Sequence, residues 1–451
     1  MDRTIMKRSF MKYTLLNIVS SIGLSIYILA DTYFIAKGMG SNGLAALNLA
    51  LPVFNFLNGF GLMLGMGGGS RFSMLYCHTD RNETDGIFTN TIIAALSIAA
   101  VFELIGLFFS APFTTMLGAD ENVFEMSHGY LKMILRFSPA FILNNVMICF
   151  MRNDSAPKLA MAGMLAGSLS NIILDYVFIF AMDMGMFGAA LATCIAPFIS
   201  MAVMSIHIIT GWNAFRIRFI KPSWKTIKNI LSLGSHAFVS EVSGGVVIIV
   251  FNFVIYRVLG NTGIAAYGVV ANTAIVATAV FTGVSCGVQP LMCKYHGQDN
   301  DEATRYILHL ALIMTGIIAA AAYSLVFFTD HSIVSIFNDS RDTQLQSVAE
   351  KGMRLYFTCM PFMGFNIVLS VYFTSHEYPG PAQMISLFRG TLFIIPLAFI
   401  LAALFGITGV WLTVPVSEFL TSLAAIVMFQ RFADRQWLLS RGYLLQKRKL
   451  T

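Results

Sequence analysis

The chain has 451 residues, of which 57% are hydrophobic and only 12% charged, about half the charged share of an average soluble protein. That composition cannot cover a soluble surface, so it excludes a soluble enzyme, a nucleic-acid-binding domain and a disordered chain. The formal net charge of +6, from 29 Lys and Arg against 23 Asp and Glu, says less than where those charges stand.

A membrane-spanning helix needs roughly 20 apolar residues. In chain order, such stretches fall at 10–36, 44–70, 87–110, 126–151, 159–182, 187–211, 226–257, 264–292, 304–328, 345–375, 382–405 and 408–430. They predict an all-α integral membrane protein of twelve spans with no room for a further soluble domain. Continuous runs, rather than ~10-residue alternating strands, argue against a β-barrel. The basic MDRTIMKRSF start precedes an apolar run like a secretion signal. That run continues for about 25 residues without a small-x-small cleavage site, so it is expected to be retained as the first span. With both termini cytoplasmic, 21 of the Lys and Arg residues fall in inside segments and 4 in outside segments. This obeys the positive-inside rule for an even number of spans. The basic runs then orient the chain and imply no nucleic-acid partner.

The six cysteines are Cys77, Cys149, Cys194, Cys286, Cys293 and Cys359. They form no CxxC and have no histidine at metal-ligand spacing, so neither a disulfide framework nor a metal site is expected. In an apolar helix a thiol packs as a small hydrophobe.

The basic midpoint WNAFRIRFIKPSWK, at 212–225, separates two similar halves. YFIAKGMGSNGLAAL at 33–47 aligns without gaps to FVIYRVLGNTGIAAY at 253–267, an offset of 220. Pro139, Asn144 and Pro157 recur as Pro361, Asn366 and Pro379 at 222, and Gly185 and Gly188 as Gly406 and Gly409 at 221. Six spans per half give both halves the same orientation. The prediction is two six-helix bundles related by a pseudo-two-fold axis along the membrane normal, with a cleft between them, as in secondary transporters that rock to alternate access. The expected units are an N-lobe at 1–215, a cytoplasmic loop at 216–225 and a C-lobe with a basic tail at 226–451. Pro139, Pro197, Pro361, Pro396 and Pro415 lie inside spans and can kink them. GMGGGS at 65–70 lacks the Lys-Ser/Thr of a phosphate loop, so close helix packing is the expected reading.

An ionisable residue in a span costs at least about 2.5–3.5 kcal/mol and is a functional candidate by default. Asp31 lies near the outer end of the first span. Asn171 and Asp175 lie one turn apart on the fifth, and Thr193 lies early in the sixth. All four fall at mid-depth or in the outer half, where they can meet. Two carboxylates in one dry site cannot both stay ionised without a cation. They take up a proton as a pair, or hold Na+ with the Asn171 and Thr193 oxygens as an all-oxygen set. A plainer reading leaves Asp31 at the headgroup level and Asn171 bonded to a neighbouring helix. At the repeat offsets Asp31 becomes Phe251, Asp175 becomes Pro396 or Leu397, and Thr193 becomes Val414. That asymmetry favours a functional site in the first bundle. Glu241, halfway along the seventh span, is a candidate second proton site or partner for a cationic substrate. Glu103, Arg136, Arg389 and Glu418 are further candidates. Most of the 26 Met and the 13% aromatic residues are expected to be ordinary packing or lipid contacts, while some could line an adaptable cavity for organic cations, and no stripe identifies which.

LADTYFIAKGMGSNGLAAL, NIILDYVFIFAMDMGMFGAALAT and GVQPLMCKYHGQ resemble transporters of the MATE family (multidrug and toxic compound extrusion), of the prokaryotic DinF-like/MepA-like type. The resemblance covers nearly the whole chain. It implies an antiporter driven by H+ or Na+ that exports amphipathic, often cationic compounds and uses no other cofactor. A monomer in the lipid bilayer of the cell membrane is expected. Asp31, Asn171, Asp175 and Thr193 match, in order and spacing, the N-lobe cation network of that branch. Glu241 resembles the acid of the seventh helix in the NorM-like and eukaryotic branches. Carrying both sets departs from a simple branch assignment. The alternative is a flippase for a lipid-linked saccharide with the same architecture, which would show more basic residues facing the cleft. An intramembrane enzyme would need a catalytic constellation, and the sequence has no DDxxD and no HExxH.

Overall fold

The computed structural model describes residues 3–76, 81–119, 121, 123–218, 221–338 and 342–448. Cys77, one of the six cysteines, lies outside them. Cys149, Cys194, Cys286, Cys293 and Cys359 are buried free thiols. The described residues are helical almost throughout, with no strand among them. The N-lobe helices are α1 (Arg3–Gly40), α2 (Asn42–Leu75), α3 (Asn82–Phe108), α4 (Phe124–Arg136 and Ser138–Asn153), α5 (Pro157–Ala181) and α6 (Gly185–Ile209). The C-lobe helices are α7 (Trp224–Gly260), α8 (Thr262–Gly297), α9 (Asp301–Ile336), α10 (Thr343–Ser375), α11 (Pro379–Phe405) and α12 (Ile407–Arg431). Eleven are long and apolar enough to span a membrane alone. The two arms of α4 make the twelfth across a 51° bend at Phe137, just before Pro139, whose missing N–H frees the ladder there. Pro361 opens the matching break in α10. Pro197 and Pro415 sit inside continuous helices.

The repeat is visible in the backbone. α1 passes into α2 through Gly40 at φ 64°, ψ −151°. α7 passes into α8 through Gly260 at φ 62°, ψ −148°. These angles belong to a region that only glycine occupies without strain, so each glycine creates a break that separates two spans. Gly185 and Gly406 also share a positive φ.

One apolar core runs through the N-lobe from Ile35 to Phe215 and takes in Ile230 near the start of α7, and another lies in the C-lobe from Phe251 to Val414. The lobes meet where α1 begins and α2 ends. A Cβ on Gly67 would lie 2.0 Å from the Ile230 carbonyl oxygen, and one on Gly234 would lie 1.8 Å from that of Met63. Gly283 and Gly287 of α8 back onto Ile18 and Thr14 of α1 in the same way. Small residues let the helices cross at backbone contact. Around them, Gln289 donates to the Ser70 hydroxyl at 2.6 Å and the Met66 carbonyl at 3.2 Å. Arg71 pairs with Glu377 across the junction. The GMGGGS segment is therefore a packing device: Gly65 faces Asn145 and Cys149, Gly67 faces α7, and Gly68 faces Thr91.

The basic midpoint loop is stitched to the N-lobe. Asp85, Thr89 and Asn90 of α3 accept the backbone N–H groups of Arg216, Arg218 and Ser223 at 2.8–3.0 Å. Phe215 is fully buried among Phe72, Phe88 and Phe150. Asp154, between α4 and α5, accepts from Ala214 N–H at 3.0 Å and meets His207 at 2.9 Å. Burial pushes the Asp154 carboxyl up from its ordinary range against those partners.

Candidate functional site

Close packing of α1, α5 and α6 builds the site. Gly163 and Gly167 of α5 bring its backbone against Ser200 and Ala196 of α6, where a Cβ would stand 3.0–3.1 Å from their carbonyl oxygens. Gly38 of α1 sits against Ile179 of α5. Phe34 meets Tyr176 and Phe180 edge-on. Between these contacts Asp31, Asn171, Asp175 and Thr193 converge, all buried; Asn171 and Asp175 are 0% exposed.

The carboxyls of Asp31 and Asp175 face each other within hydrogen-bonding range. With the Asn171 amide nitrogen turned to the carboxyl, it donates to Asp175 Oδ2 at 2.9 Å, and its oxygen accepts from the Thr193 N–H at 3.2 Å. The Thr193 hydroxyl donates to the Ala189 carbonyl at 3.0 Å. One oxygen of each acid, Asp31 Oδ1 and Asp175 Oδ1, is buried with no hydrogen-bond partner. Buried polar atoms are nearly always satisfied, so two orphaned carboxyl oxygens in one pocket mark a place where a proton or small cation fits.

Two tyrosines join the set. The Tyr130 hydroxyl of α4 lies within hydrogen-bonding reach of Thr193, and Tyr27 of α1 lies close enough to feel both acids. Sequence reasoning missed both. Tyr27 precedes Asp31 by four residues, which places it on the same helix face, and that spacing could have found it. Tyr130 carries no such mark, because its helix joins the site only through the fold.

Glu241 is not part of this cluster. It is half-buried on α7 at the inter-lobe face, its Cβ 3.5 Å from where a Cβ on Gly59 of α2 would stand. Phe238 contacts Gly59 there, with ring centroids 4.6 Å from Phe60 and 5.9 Å from Phe56. Arg389 and Glu418 form a separate C-lobe cluster. Arg389 donates to Glu418 Oε1 from Nε at 3.1 Å and from Nη2 at 2.9 Å. Asn366 donates to Oε2 at 2.7 Å, and Ser422 donates to Asn366 at 3.1 Å. Arg389 sits in a π-helical turn, Phe388–Leu392. Arg136 is exposed and Glu103 half-buried; neither joins a cluster described here.

Twelve spans in two bundles, with a buried acid pair in one of them, define a membrane transporter. The chain belongs to the MatE family, whose family model matches residues 17–177 and 238–400. Among curated proteins it is 26% identical over 436 residues to the "Multidrug export protein MepA" of Staphylococcus saprophyticus, covering 96% of each chain. It is 27% identical over 430 residues to the protein of the same name from Staphylococcus aureus, covering 95% of this chain and 94% of that one. Among solved structures, an outward-facing multidrug resistance MATE family transporter of the MOP superfamily superposes with a TM-score of 0.90 at 19% identity, covering 95% of this chain and 96% of that one. A MOP superfamily transporter from Pyrococcus furiosus superposes at 0.88, also at 19% identity, covering 94% and 95%.

Proposed function

We propose that the protein is an antiporter of the cell membrane that couples inward movement of H+ or Na+ to export of amphipathic, often cationic compounds. The observation that carries this reading is the buried pair Asp31 and Asp175, each with an orphaned oxygen, beside Asn171 and Thr193. A cation at that pair relieves the repulsion between the carboxyls. It draws α1 toward α5 and changes the face that α1 offers to the cleft. The coupling requires the ion to bind one state of the cleft more tightly than the other. The names of the curated relatives support drug export as the task.

With both termini in the cytoplasm, as the charge bias predicts, the sealed end of the molecule is the inner one and the cleft opens outward. Glu241 then stands at the inter-lobe face beside Phe56, Phe60 and Phe238. A carboxylate flanked by aromatic rings suits an organic cation. Glu241 is the substrate or second proton site in this reading, and the acid pair is the coupling site.

The test is antiport in proteoliposomes. A proton gradient and a Na+ gradient are imposed separately, and a lipophilic cationic dye is followed. One gradient should drive dye movement, and Asp175→Asn should abolish it while the protein still folds. Full activity in Asp175→Asn would overturn the site, and no movement under either gradient would overturn the antiport reading.

A further inference from the structure

Outside the acid pair, His296, Asp301 and His376 bring three ligand atoms within 4.8 Å of one another. His296 stands in the last turn of α8, Asp301 in the first turn of α9, and His376 just past α10. Spacing in the sequence concealed the set, because His376 reaches it only through the fold. The two imidazole rings lie 4.6 Å apart. His376 is 3% exposed, and its Nδ1–H donates to the Tyr372 carbonyl at 2.8 Å. A carbonyl partner of this kind fixes the tautomer of a metal-binding histidine and turns the Nε2 lone pair toward the ligand. Nδ1 of His296 is buried and has no hydrogen-bond partner, an exception among buried nitrogens. Arg305, one turn beyond Asp301 on α9, is a neighbouring fixed cation.

We infer that His296, Asp301 and His376 form a binding site for a divalent transition metal of the zinc class. Two imidazole nitrogens and one carboxylate oxygen match a borderline-soft ion, whereas Ca2+ and Mg2+ take all-oxygen sets. The location assigns the metal a consequence. Gly297, next to His296, backs onto Met74 of α2, where a Cβ would lie 2.3 Å from the carbonyl oxygen. Glu377, next to His376, pairs with Arg71 of α2. A metal tying the ends of α8, α9 and α10 together stiffens the C-lobe side of the seal. It therefore favours the sealed state and slows the exchange of access.

The test uses the full chain in detergent with an affinity tag that contains no histidine, stripped by a chelator and then given Zn2+ alone. The parent should retain one Zn2+ per chain after desalting, and Zn2+ should raise its Tm. His296→Asn and Asp301→Asn leave the buried His376 in place, and an unchanged Tm without metal shows that they fold. Each should weaken Zn2+ binding by at least about 10-fold, the lower end of what loss of even a supporting group does, and should abolish the metal-dependent rise in Tm. A parent that retains no Zn2+, or variants that bind as tightly as the parent, would overturn the site.

Discussion

The two lobes use one helix pattern around opposite interiors. In the N-lobe, Asp31, Thr193 and Tyr130 gather around Asp175. At the same register of the C-lobe, Asp31 is replaced by Phe251, Thr193 by Val414, Tyr130 by Gly352 and Ala190 by Trp411. Phe251 stacks on Tyr267 at 5.3 Å, and Trp411 fills the space over Gly352, where a Cβ would lie 2.8 Å from its ring. An aromatic plug thus occupies the position of the acid pair. The C-lobe keeps its own acid, Glu418, elsewhere and supplies Arg389 as a built-in cation. Among the described residues no Lys or Arg pairs with Asp31 or Asp175. The lesson is that glycine breaks and small-residue crossings carry the shared architecture. The lobes differ in whether the fold itself supplies a cation to the buried acid: Arg389 pairs with Glu418 in the C-lobe.

The largest expected effect tests that difference directly. Arg389→Met leaves Glu418, whose side chain is 3% exposed, buried without its cation. Breaking a buried pair on one side costs about 3–5 kcal/mol, while replacing both partners by apolar groups is often near neutral. Thermal unfolding in detergent should show a large loss for Arg389→Met and recovery for Arg389→Met combined with Glu418→Leu. Equal stability of the single variant and the parent would show that Glu418 needs no partner, and the contrast between lobes would collapse.

The N-lobe should behave in the opposite way. Asp31→Asn removes one of two facing carboxyls and so relieves repulsion. Its stability should match or exceed that of the parent, while gradient-driven transport falls by about 100-fold or more, as for loss of a group that acts in the coupled step. A destabilised Asp31→Asn variant that still transports would assign Asp31 a structural role.

Much of this was legible in the chain before any coordinates. Composition and run length gave the twelve spans, and the 220-residue offset gave the repeat, which Gly40 and Gly260 repeat in their dihedral angles. Asn171 and Asp175 were readable because one helical turn places them on one face, and the loss of Asp31 and Thr193 from the second copy set the cluster apart. The Arg389 to Glu418 pair was not readable, because α10, α11 and α12 are brought together only by packing, and a π-helical turn sets the direction of Arg389. The histidine cluster was hidden for the same reason. The stitching of the basic midpoint loop to Asp85 and Asp154 depends on backbone N–H groups, which no side-chain pattern records.

A second comparison sets the sealed end against unobstructed helix surface. Gly234→Val places a branched side chain where even a Cβ meets the Met63 carbonyl at 1.8 Å. Overpacking of that kind costs up to about 3 kcal/mol, and here the cost falls on the sealed state. Every 1.4 kcal/mol is about tenfold in population. A cysteine placed by Ser73→Cys, at a buried position facing Pro290, should therefore react with a water-soluble maleimide at least about 10-fold faster in the Gly234→Val background. Gly244→Ala is the control, because a Cβ there meets nothing within 4 Å. Equal labelling in both backgrounds would mean that the glycine crossing does not hold the seal.

The smallest effect tests the equality of the repeats themselves. Gly40 and Gly260 share φ near 64° and 62°, and a Cβ at either meets no atom within 4 Å. Crowding contributes nothing at these positions, so alanine costs only what the backbone conformation imposes on a residue with a Cβ, about 1 kcal/mol or somewhat more. Gly40→Ala and Gly260→Ala should therefore lower the Tm by the same small amount, and the double variant by the sum, since the two breaks share no contacts. Unequal losses would show that one break bears a load the other does not. If Gly40→Ala were the worse, the extra cost would point to α1, whose entry into α2 must hold Asp31 at the height of Asp175.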